Sequence, residues 1–555
     1  MKRWVKRIGI AIVVLAAALV ATWFAIGGRE GFILIYASQM KPDVAPYQEV
    51  AWQKAPQQTP IPGAKRKPNV VVILADDMGF NDVSFYGGGT AGGLIKTPNI
   101  DSIGHDGVNF PAGYAGNATC APSRAALMTG RYATRFGYEF TPTAIGFQRL
   151  VGGHQGDAPY PPIYHADREK DVPDFRELGI PAGEVTIAAM LQQAGYHTVH
   201  LGKWHLGEND SQRPEKRGFD ESLGFYAGAS MFMEEDDPNV VNSKQEFDPI
   251  DKFLWAALPF GVRYNSGPIF KPNKHMTDYL TDQAIEVIRA NKERPFFLYL
   301  AYNAVHTPLQ ATKEDYDALP QIKDHTLRVY AAMVRQLDRD VGRVLAELKA
   351  QGLDDDTLVI FTSDNGGAHY VGLDDLNKPY SGWKATFYEG GIRIPFFMRW
   401  PGVLPAGATY ASPISHFDIF ATAAAAAGAQ IPADRKIDGV DVVPFITGQA
   451  TGEPHQILFW RSGPYVVVRQ GKWKLQIEAT SGLKVLYDLD ADPSEKTDLS
   501  AANADKVAEL TALIDGWQAE QAKPLWPALM EGVIPIDHPM NRPWTKEDRY
   551  IYWSN

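Results

Sequence analysis

A short segment around the single cysteine has residue types that could bind an anion. Cys120 is the only cysteine among 555 residues, and it opens the segment CAPSRAALMTGR at residues 120–131. Pro122 suits the first turn of a helix and Gly130 suits its end, so the sequence predicts a helix that starts at Cys120. Free N–H groups at a helix N-terminus favour anions, and Arg124, one turn further on, could help to hold one. A lone cysteine is more often a small buried hydrophobic residue, and these spacings leave both interpretations open.

Two pairs of residues with side-chain oxygens are of the types that bind hard metal ions. Asp76 and Asp77 follow one predicted strand, and Asp364 and Asn365 follow another. Three carboxylates and an amide oxygen suit Ca²⁺ or Mg²⁺ better than zinc, because no histidine or cysteine is among them. Such a pair after a strand is usually a turn or a helix cap, but two pairs at corresponding strand ends favour a metal site.

Four basic or titratable residues could bind an anion or transfer protons. Lys203 and His205 lie in the segment GKWHLG, His306 follows a further predicted strand, and Lys384 lies in the tripeptide GWK. Lysines could neutralise an anionic substrate, and histidines could move protons near neutral pH. Each of these residues taken alone is more often structural, as we also expect for Asp82.

The elements that must position these residues alternate between strand and helix. Apolar, β-branched runs predict strands at residues 69–74, 196–201, 295–301 and 357–362. Helical periodicity predicts helices at residues 185–194, 277–291 and 327–350. This alternation predicts an α/β fold with a large mixed, mostly parallel sheet flanked by helices. Ligands bind beyond the carboxyl ends of such strands, and all four predicted strands end near a charged or titratable residue, so we expect one active site there.

The chain divides into an N-terminal segment, a linker, a large body and a smaller C-terminal unit. The predicted boundaries are 1–28 for a membrane anchor or signal, 29–67 for a linker, 68–451 for the catalytic domain, and 452–555 for the C-terminal subdomain. Insertions without clear periodicity lie near residues 137–179 and 230–274. Four short alternating segments and a helix near residues 501–521 predict a C-terminal α+β subdomain, and we expect the tail at 526–555 to wrap over the body.

The N-terminus predicts export from the cytoplasm. Four basic residues precede an uncharged run of 19 residues at positions 8–26. That length is close to a bilayer span, and basic flanks stay in the cytoplasm, so we predict a periplasmic body held by an inner-membrane anchor, with a cleaved signal as the alternative. The net charge of −11 argues against a nucleic-acid partner.

Several motifs together resemble one enzyme family. Residues 120–131 match C-x-P-S-R-x-x-L-x-T-G-R, and DDMG at 76–79, SDNG at 363–366, YEGGIRIP at 388–395 and DPSE at 492–495 accompany that match. The chain therefore resembles the type I, formylglycine-dependent sulfatases, which are arylsulfatase-like members of the alkaline phosphatase superfamily. The resemblance runs from about Lys67 into the C-terminal unit. One small departure is Val305 before His306, where many relatives have proline.

The resemblance implies an active site and a mechanism. A maturation enzyme would convert Cys120 to formylglycine (3-oxoalanine), and calcium, or possibly magnesium, would be bound by Asp76, Asp77, residue 120, Asp364 and Asn365. The family's other catalytic positions correspond to Arg124, Lys203, His205, His306 and Lys384. The formylglycine hydrate would attack sulfur while His306, assisted by Lys384, protonates the leaving alcohol. His205 would then take a proton from the second hydroxyl, so that a sulfate ester yields an alcohol and inorganic sulfate.

Two other functions stay open at this stage. The same fold and nucleophile serve phosphonate monoester and phosphodiester hydrolases, and an unconverted chain could bind sulfated ligands without catalysis. The resemblance implies a sulfated small molecule or glycan as the substrate. The apolar segment at residues 253–260 mildly favours an aryl, steroid or other apolar ester. Loop core is the default interpretation of such a segment, and contact with a membrane is a further alternative.

Overall fold

The computed structural model describes residues 27–56, 66–154 and 158–555, with a few isolated positions before residue 27. The uncharged run at residues 8–26, predicted to be a membrane anchor, lies largely outside the described residues, as do residues 57–65 of the predicted linker. None of the described helices combines the length and the apolar character needed to cross a bilayer.

Strands and helices alternate along most of the described chain. The strands are β1 Asn69–Ala75, β2 Val108–Asn109, β3 Gly113–Tyr114, β4 Ile163–Tyr164, β5 His197–Lys203, β6 Glu221–Phe225, β7 Val240–Ser243, β8 Val262–Tyr264, β9 Ile269–Phe270, β10 Phe296–Ala301, β11 Leu309–Thr312, β12 Thr357–Ser363, β13 Phe396–Arg399, β14 Ala408–Thr409, β15 Ile414–Ser415, β16 Ile457–Ser462, β17 Tyr465–Gln470, β18 Trp473–Glu478, β19 Leu483–Asp488, β20 Met530–Pro535 and β21 Tyr550–Ser554. The helices are α1 Gly28–Gln39, α2 Thr90–Gly93, α3 Pro98–His105, α4 Cys120–Thr129, α5 Ile145–Val151, α6 Ile187–Gln193, α7 Pro249–Ala257, α8 Met276–Asn291, α9 Lys313–Asp317, α10 His325–Ala350, α11 Glu389–Ile392, α12 Phe417–Ala427, α13 Val443–Ile446 and α14 Ala504–Gln518.

A large mixed sheet forms the centre of the body. Among the described residues its strand order is β14-β2-β13-β12-β1-β10-β5-β6-β8-β9. The five central strands, from β12 to β6, run parallel, whereas β13 and β8 join them antiparallel on either side. The predicted fold class, a mostly parallel sheet flanked by helices, is confirmed.

Both faces of the sheet are buried, as the continuous apolar run of β1 requires. Val71 and Ile73 belong to one core cluster, which includes residues of α8 and α10. Val70 and Val72 belong to the other, which includes residues of α4, α6 and α12. Successive side chains of a strand point to opposite faces, so a strand covered on both sides needs apolar residues at every position. The four predicted strands and three predicted helices of this core are all present, with ends shifted by a few residues at most.

The C-terminal unit contains a separate antiparallel sheet. Strands β16 to β19 pair in sequence order, and apolar residues of this sheet pack with residues of α14. The backbone between β17 and β18 turns at Gly471, where φ is +55°, a left-handed value that favours glycine. Within the tail, β20 pairs with β21 and also with β4 of the first insertion, so the tail does wrap over the body as predicted.

The predicted linker and insertions contain more regular structure than their sequences indicate. In the range predicted as linker, α1 packs against α7 and α5, and Trp52 is buried and donates to Gln283 at 2.9 Å. The first insertion contains α5 and β4, and the second contains β7, α7, β8 and β9. Their apolar faces are completed by distant segments, so local periodicity in the sequence did not reveal these short elements.

Candidate active site

Four neighbouring strands bring the predicted site residues to one edge of the sheet. Because β12, β1, β10 and β5 are adjacent and parallel, their carboxyl ends lie side by side. Asp76 and Asp77 follow β1 and Asp364 and Asn365 follow β12, while Lys203 is the last residue of β5. His306 lies beyond β10. The structure therefore brings the strand-end residues together, as the alternation of strands and helices predicted.

Cys120 stands at the start of α4, directly against the acidic residues. Its Sγ atom lies 3.8 Å from an oxygen of Asp76 and 3.8 Å from an oxygen of Asp77. Helix α4 ends at Gly130, where φ is +68°, so both predicted ends of this helix are observed. Burial raises the pKa of the Cys120 thiol to about 12, with the carboxylate of Asp364 acting in the same direction. An unmodified Cys120 is thus a protonated thiol near neutral pH and a poor nucleophile.

Lys203 and Arg124 bind the carboxylates and have no exposed surface. Lys203 Nζ donates to both oxygens of Asp76, at 2.9 and 2.7 Å. Arg124 Nε donates to Asp364 Oδ2 at 2.8 Å, and its Nη1 donates to the carbonyl of Lys203 at 3.1 Å. The guanidinium is fully buried, and its contact with Asp364 holds that carboxylate in place. The expected contact of Arg124 with a bound anion stays a prediction.

Lys384 and Tyr370 converge on Asp77. Lys384 Nζ donates to Asp77 Oδ2 at 2.8 Å and to the hydroxyl of Tyr370 at 2.9 Å, and that hydroxyl donates to Asp77 Oδ2 at 2.8 Å. Asn365 Nδ2 donates to Asp77 Oδ1 at 2.8 Å. Burial works against ionisation of Asp77, but Lys384 and then His306 outweigh it and hold the pKa of this carboxyl well below its usual range. Asp77 is therefore ionised at neutral pH.

The two predicted histidines are both buried but have different surroundings. His306 Nε2 lies 3.6 Å from Asp77 Oδ2, while its Nδ1 contacts the carbonyl of Thr307. A carbonyl only accepts, so Nδ1 carries the proton of the neutral ring and Nε2 is left as an acceptor. His205 has a buried Nδ1 without a hydrogen-bond partner among the described residues. Burial lowers the pKa of His306 to about 3 and that of His205 well below its usual value.

The acidic residues at this edge have the composition of a site for a hard divalent cation. Ligand atoms of Asp76, Asp77, Cys120 and His306 lie within 4.8 Å of one another. Asn365 adds a buried Oδ1 that lacks a hydrogen-bond partner among the described residues. Such an oxygen is costly to bury unless something binds it, and oxygen donors next to carboxylates suit Ca²⁺ or Mg²⁺. The residues present therefore fit a calcium-type ion.

The formal charges agree with this assignment. Asp76, Asp77 and Asp364 carry three negative charges if all are ionised, and Lys203, Lys384 and Arg124 carry three positive ones. A divalent cation added to this balanced set leaves a net positive site, which a singly charged anion would partly neutralise. The arrangement thus couples cation binding to anion binding.

We expect the amide oxygen of Asn365 to be needed for cation binding. Asn365→Ala removes this oxygen but no charge, so it should reduce the rise in Tm that excess CaCl₂ gives over EDTA by more than half, because only binding to the folded state stabilises it. Asn365→Asp keeps an oxygen in place but replaces the Nδ2 donor to Asp77 by a second carboxylate, so it should be less stable in EDTA and should show a rise at least as large as that of the wild type. Thermal unfolding of both variants, with and without the ion, checks this. An unchanged rise in Asn365→Ala would remove this residue from the ligand set.

We expect the affinity of this site for Ca²⁺, measured by calorimetric titration of the wild type, to depend on pH. Burial raises the pKa of Asp76 to about 7, although the ammonium of Lys203 opposes this. Below that pKa a cation must displace a proton, so affinity should rise with pH. We expect the dissociation constant for Ca²⁺ to fall about tenfold between about pH 6 and about pH 8.

Two residues of the site were not predicted from the sequence. Tyr370 binds Asp77 as described, and His369 is a buried neighbour whose Nδ1 has no hydrogen-bond partner among the described residues. Both lie in a short 3₁₀ turn, His369–Val371, only a few residues after the SDNG motif. Their closeness to that motif was the one available signal, and it is weak because turns after strands commonly contain polar residues.

Comparisons with known proteins agree on one family. The family model described as Sulfatase matches residues 68–429. The N-acetylgalactosamine-6-sulfatase of Canis lupus familiaris is 33% identical over 426 residues, which cover 74% of this chain and 72% of that relative. The steryl-sulfatase of Homo sapiens is 31% identical over 464 residues, 73% of each chain. The solved structure of Ps i-CgsB in complex with k-i-k-neocarrahexaose is similar with a TM-score of 0.67 and 32% identity, covering 83% of this chain and 95% of that one.

Proposed function

The chain belongs to the sulfatase family of sulfuric ester hydrolases, and we propose that it acts through a formylglycine formed from Cys120 next to a bound calcium ion. The observation that carries this proposal is the position of Cys120, which lies 3.8 Å from two carboxylates at a helix N-terminus. A thiol whose pKa is about 12 is unsuited to attack sulfur itself. Conversion requires a formylglycine-generating maturation enzyme as a partner.

The proposed reaction has two steps at residue 120. As the aldehyde hydrate, this residue has two hydroxyls, one of which attacks sulfur while the bond from sulfur to the alcohol oxygen breaks. The second hydroxyl then loses its proton, the bond between carbon and the sulfated oxygen breaks, and inorganic sulfate leaves as the aldehyde re-forms. A water molecule adds to this aldehyde and restores the hydrate for the next turnover. A divalent cation bound by Asp76, Asp77, Asp364, Asn365 and residue 120 would neutralise charge on the sulfate oxygens.

The charge states of the two candidate proton donors favour Lys384 over His306. Burial opposes the charged form of Lys384, but Asp77 outweighs it and raises the pKa of this lysine well above its usual value. Lys384 is therefore protonated in the free enzyme. His306 is neutral with its proton on Nδ1, so its Nε2 has no proton to give. We propose that Lys384 protonates the leaving alcohol and that His306 orients the proton transfer. The resemblance to the family instead assigns the donation to His306, assisted by Lys384.

His205 suits the removal of a proton in the second step. Its pKa lies well below the usual histidine value, mainly through burial, so the ring is neutral and can accept a proton. The ring sits against Gly228, where a Cβ atom would come within 2.8 Å of Nε2, so glycine at this position leaves room for the imidazole. Arg124 and Lys203 act by holding Asp364 and Asp76 in place.

One pair of model substrates tests the proposed function. We expect turnover of p-nitrophenyl sulfate to exceed that of phenyl p-nitrophenyl phosphate, since the alternative activity on phosphodiesters predicts the opposite order. Intact-protein mass should be about 18 Da lower than the sequence mass when the chain is made with the maturation enzyme. An unshifted mass together with no turnover would instead support a non-catalytic binder.

The location and the alcohol are further parts of the proposal. We propose a periplasmic enzyme held in the inner membrane by residues 8–26, and the same mass measurement on the membrane fraction reports whether these residues are retained. The relatives named for N-acetylgalactosamine 6-sulfate and for steryl sulfates are 33% and 31% identical. Sequence identity therefore does not choose between a sugar and an apolar alcohol.

A further inference from the structure

A single cavity leads from the protein surface to the catalytic residues. Its volume is about 430 Å³, within the range of small-molecule pockets. Cys120, His205, His306 and Lys384 line its inner end. Because the sulfate group must reach residue 120, the rest of this cavity is where the alcohol part of the ester lies.

The outer walls of the cavity are apolar and come from three separate parts of the chain. Helix α7 of the second insertion contributes Ile250, Phe253, Leu254 and Ala257, which share one face of the helix by their spacing. Phe147 of α5 also lines the cavity and packs edge-to-face on Phe253, with 5.2 Å between ring centroids.

A further part of the lining comes from the C-terminal tail. Val533 and Ile534 of β20 line the cavity together with Trp544 and Trp553. Indole and branched aliphatic side chains offer flat apolar surfaces and few hydrogen-bonding groups. The wall thus suits a ring system with little polar substitution.

Charged groups are scarce away from the catalytic end. Lys384 is the only lysine or arginine among the described lining residues. Asp248 also lines the cavity, but its carboxylate caps α7 by accepting from the backbone N–H of Asp251 at 2.7 Å. A second sulfate or a uronic acid on a glycan would find no further lysine or arginine among these residues. The hydrogen-bonding side chains away from the catalytic residues, such as Thr141, Thr143, His154 and Tyr160, are outnumbered by apolar ones.

From this lining we propose that the substrate is the sulfate monoester of an apolar aromatic or fused-ring alcohol, not of a polar or polysulfated sugar. The inference rests on the proposed function, since it assigns the alcohol part of the same ester. Burial of apolar surface against α5, α7 and the tail supplies the recognition, and Lys384 with the cation site supplies the binding of the sulfate.

The test compares two esters of primary alcohols, so that leaving-group acidity does not decide the outcome. The probes are 2-(2-naphthyl)ethyl sulfate and N-acetylgalactosamine 6-sulfate, with p-nitrophenyl sulfate as the reference that reports sulfatase activity itself. We expect kcat/KM for the naphthyl ester to exceed that for the sugar ester by at least about 100-fold. Equal values, or a preference for the sugar ester, while p-nitrophenyl sulfate is turned over would overturn the inference and leave the proposed function intact.

Variants of the apolar wall connect the preference to this cavity. Phe253→Ala should lower kcat/KM for the naphthyl ester about tenfold and leave that for the sugar ester within about twofold, since only the former buries surface on this ring. Phe32→Ala is the matched control, because Phe32 is 56% exposed on α1 and does not line the cavity. Leu254→Ala serves as a second wall variant if Phe253→Ala folds poorly. Equal losses on both esters would contradict the assignment.

Binding gives an independent measurement that does not need catalysis. Calorimetric titration of the Cys120→Ala variant with each ester should give tighter binding of the naphthyl ester, by about tenfold or more. No turnover of p-nitrophenyl sulfate by the wild type would count against the proposed function. A tighter affinity for the sugar ester in this titration would count against the apolar substrate.

Discussion

Replacing Cys120 by serine is expected to abolish multiple turnover while allowing a single burst of alcohol release. A serine hydroxyl could still attack sulfur, but the resulting sulfate ester has no second hydroxyl whose deprotonation would expel sulfate. We expect kcat to fall by at least about 10⁴-fold, which is the scale of losing a covalent nucleophile. Rapid-quench kinetics with p-nitrophenyl sulfate would show at most one equivalent of p-nitrophenol per enzyme. Sustained turnover by this variant is incompatible with the two-step mechanism.

Cys120→Ala is the matched variant for that experiment. It removes the nucleophile with a small change in volume at a buried helix start, so we expect a folded protein with neither turnover nor burst. A burst from Cys120→Ala equal to that from Cys120→Ser would mean that another group is sulfated. Intact mass of the quenched serine variant locates the covalent sulfate.

Replacing Lys384 by methionine is expected to impair hydrolysis most for esters with poor leaving groups. The lysine is protonated and lies next to Asp77, so we propose it as the source of the proton for the alcohol. The variant should lose about 10³-fold in kcat/KM on phenyl sulfate but only about tenfold on p-nitrophenyl sulfate, whose leaving group needs little protonation. Steady-state kinetics on a series of substituted phenyl sulfates would show this as a steeper dependence on leaving-group acidity.

Two further variants make the Lys384 experiment specific. Lys378→Met removes a lysine whose side chain is 62% exposed in the same segment of the chain, and it should leave both rates unchanged. His306→Gln should lower the two rates by similar factors if His306 orients the exchange without donating. A steep leaving-group dependence in His306→Gln, with a flat one in Lys384→Met, would reverse the two assignments.

The sequence alone determined the fold class and predicted which residues lie together at the candidate site. The strand Asn69–Ala75 is a continuous apolar run from Val70 onward, and the helix Met276–Asn291 has a clear period, so local pattern specifies both. The carboxyl ends of adjacent parallel strands must meet at one edge, and for this reason Asp76 and Asp364 could be placed together before any coordinates were known. The helix in the twelve-residue segment at Cys120 is also specified by local sequence, since Pro122 marks its first turn and Gly130 its end.

The roles of individual side chains depended on the tertiary structure. The sequence predicted contact between Arg124 and an anion, and only the tertiary structure shows that its buried guanidinium binds Asp364. The protonation of His306 depends on burial and on the carbonyl of Thr307, and neither is visible in a local pattern. Tyr370 enters the site through a hydrogen bond to a residue 293 positions away.

The substrate cavity is the feature that depends most on the tertiary structure. Its walls join Phe147, Phe253 and Trp553, which come from two insertions and the C-terminal tail. In the sequence the segment at 253–260 was compatible with a pocket, a membrane contact or loop core, because apolar character alone does not say what a side chain packs against. Only the packing of α5, α7 and the tail around one space decided that this apolar surface faces the reacting group. The sequence thus predicted the chemistry at Cys120, whereas the proposal for the alcohol needed the tertiary structure, since the shape and polarity of a cavity arise from contacts between distant parts of the chain.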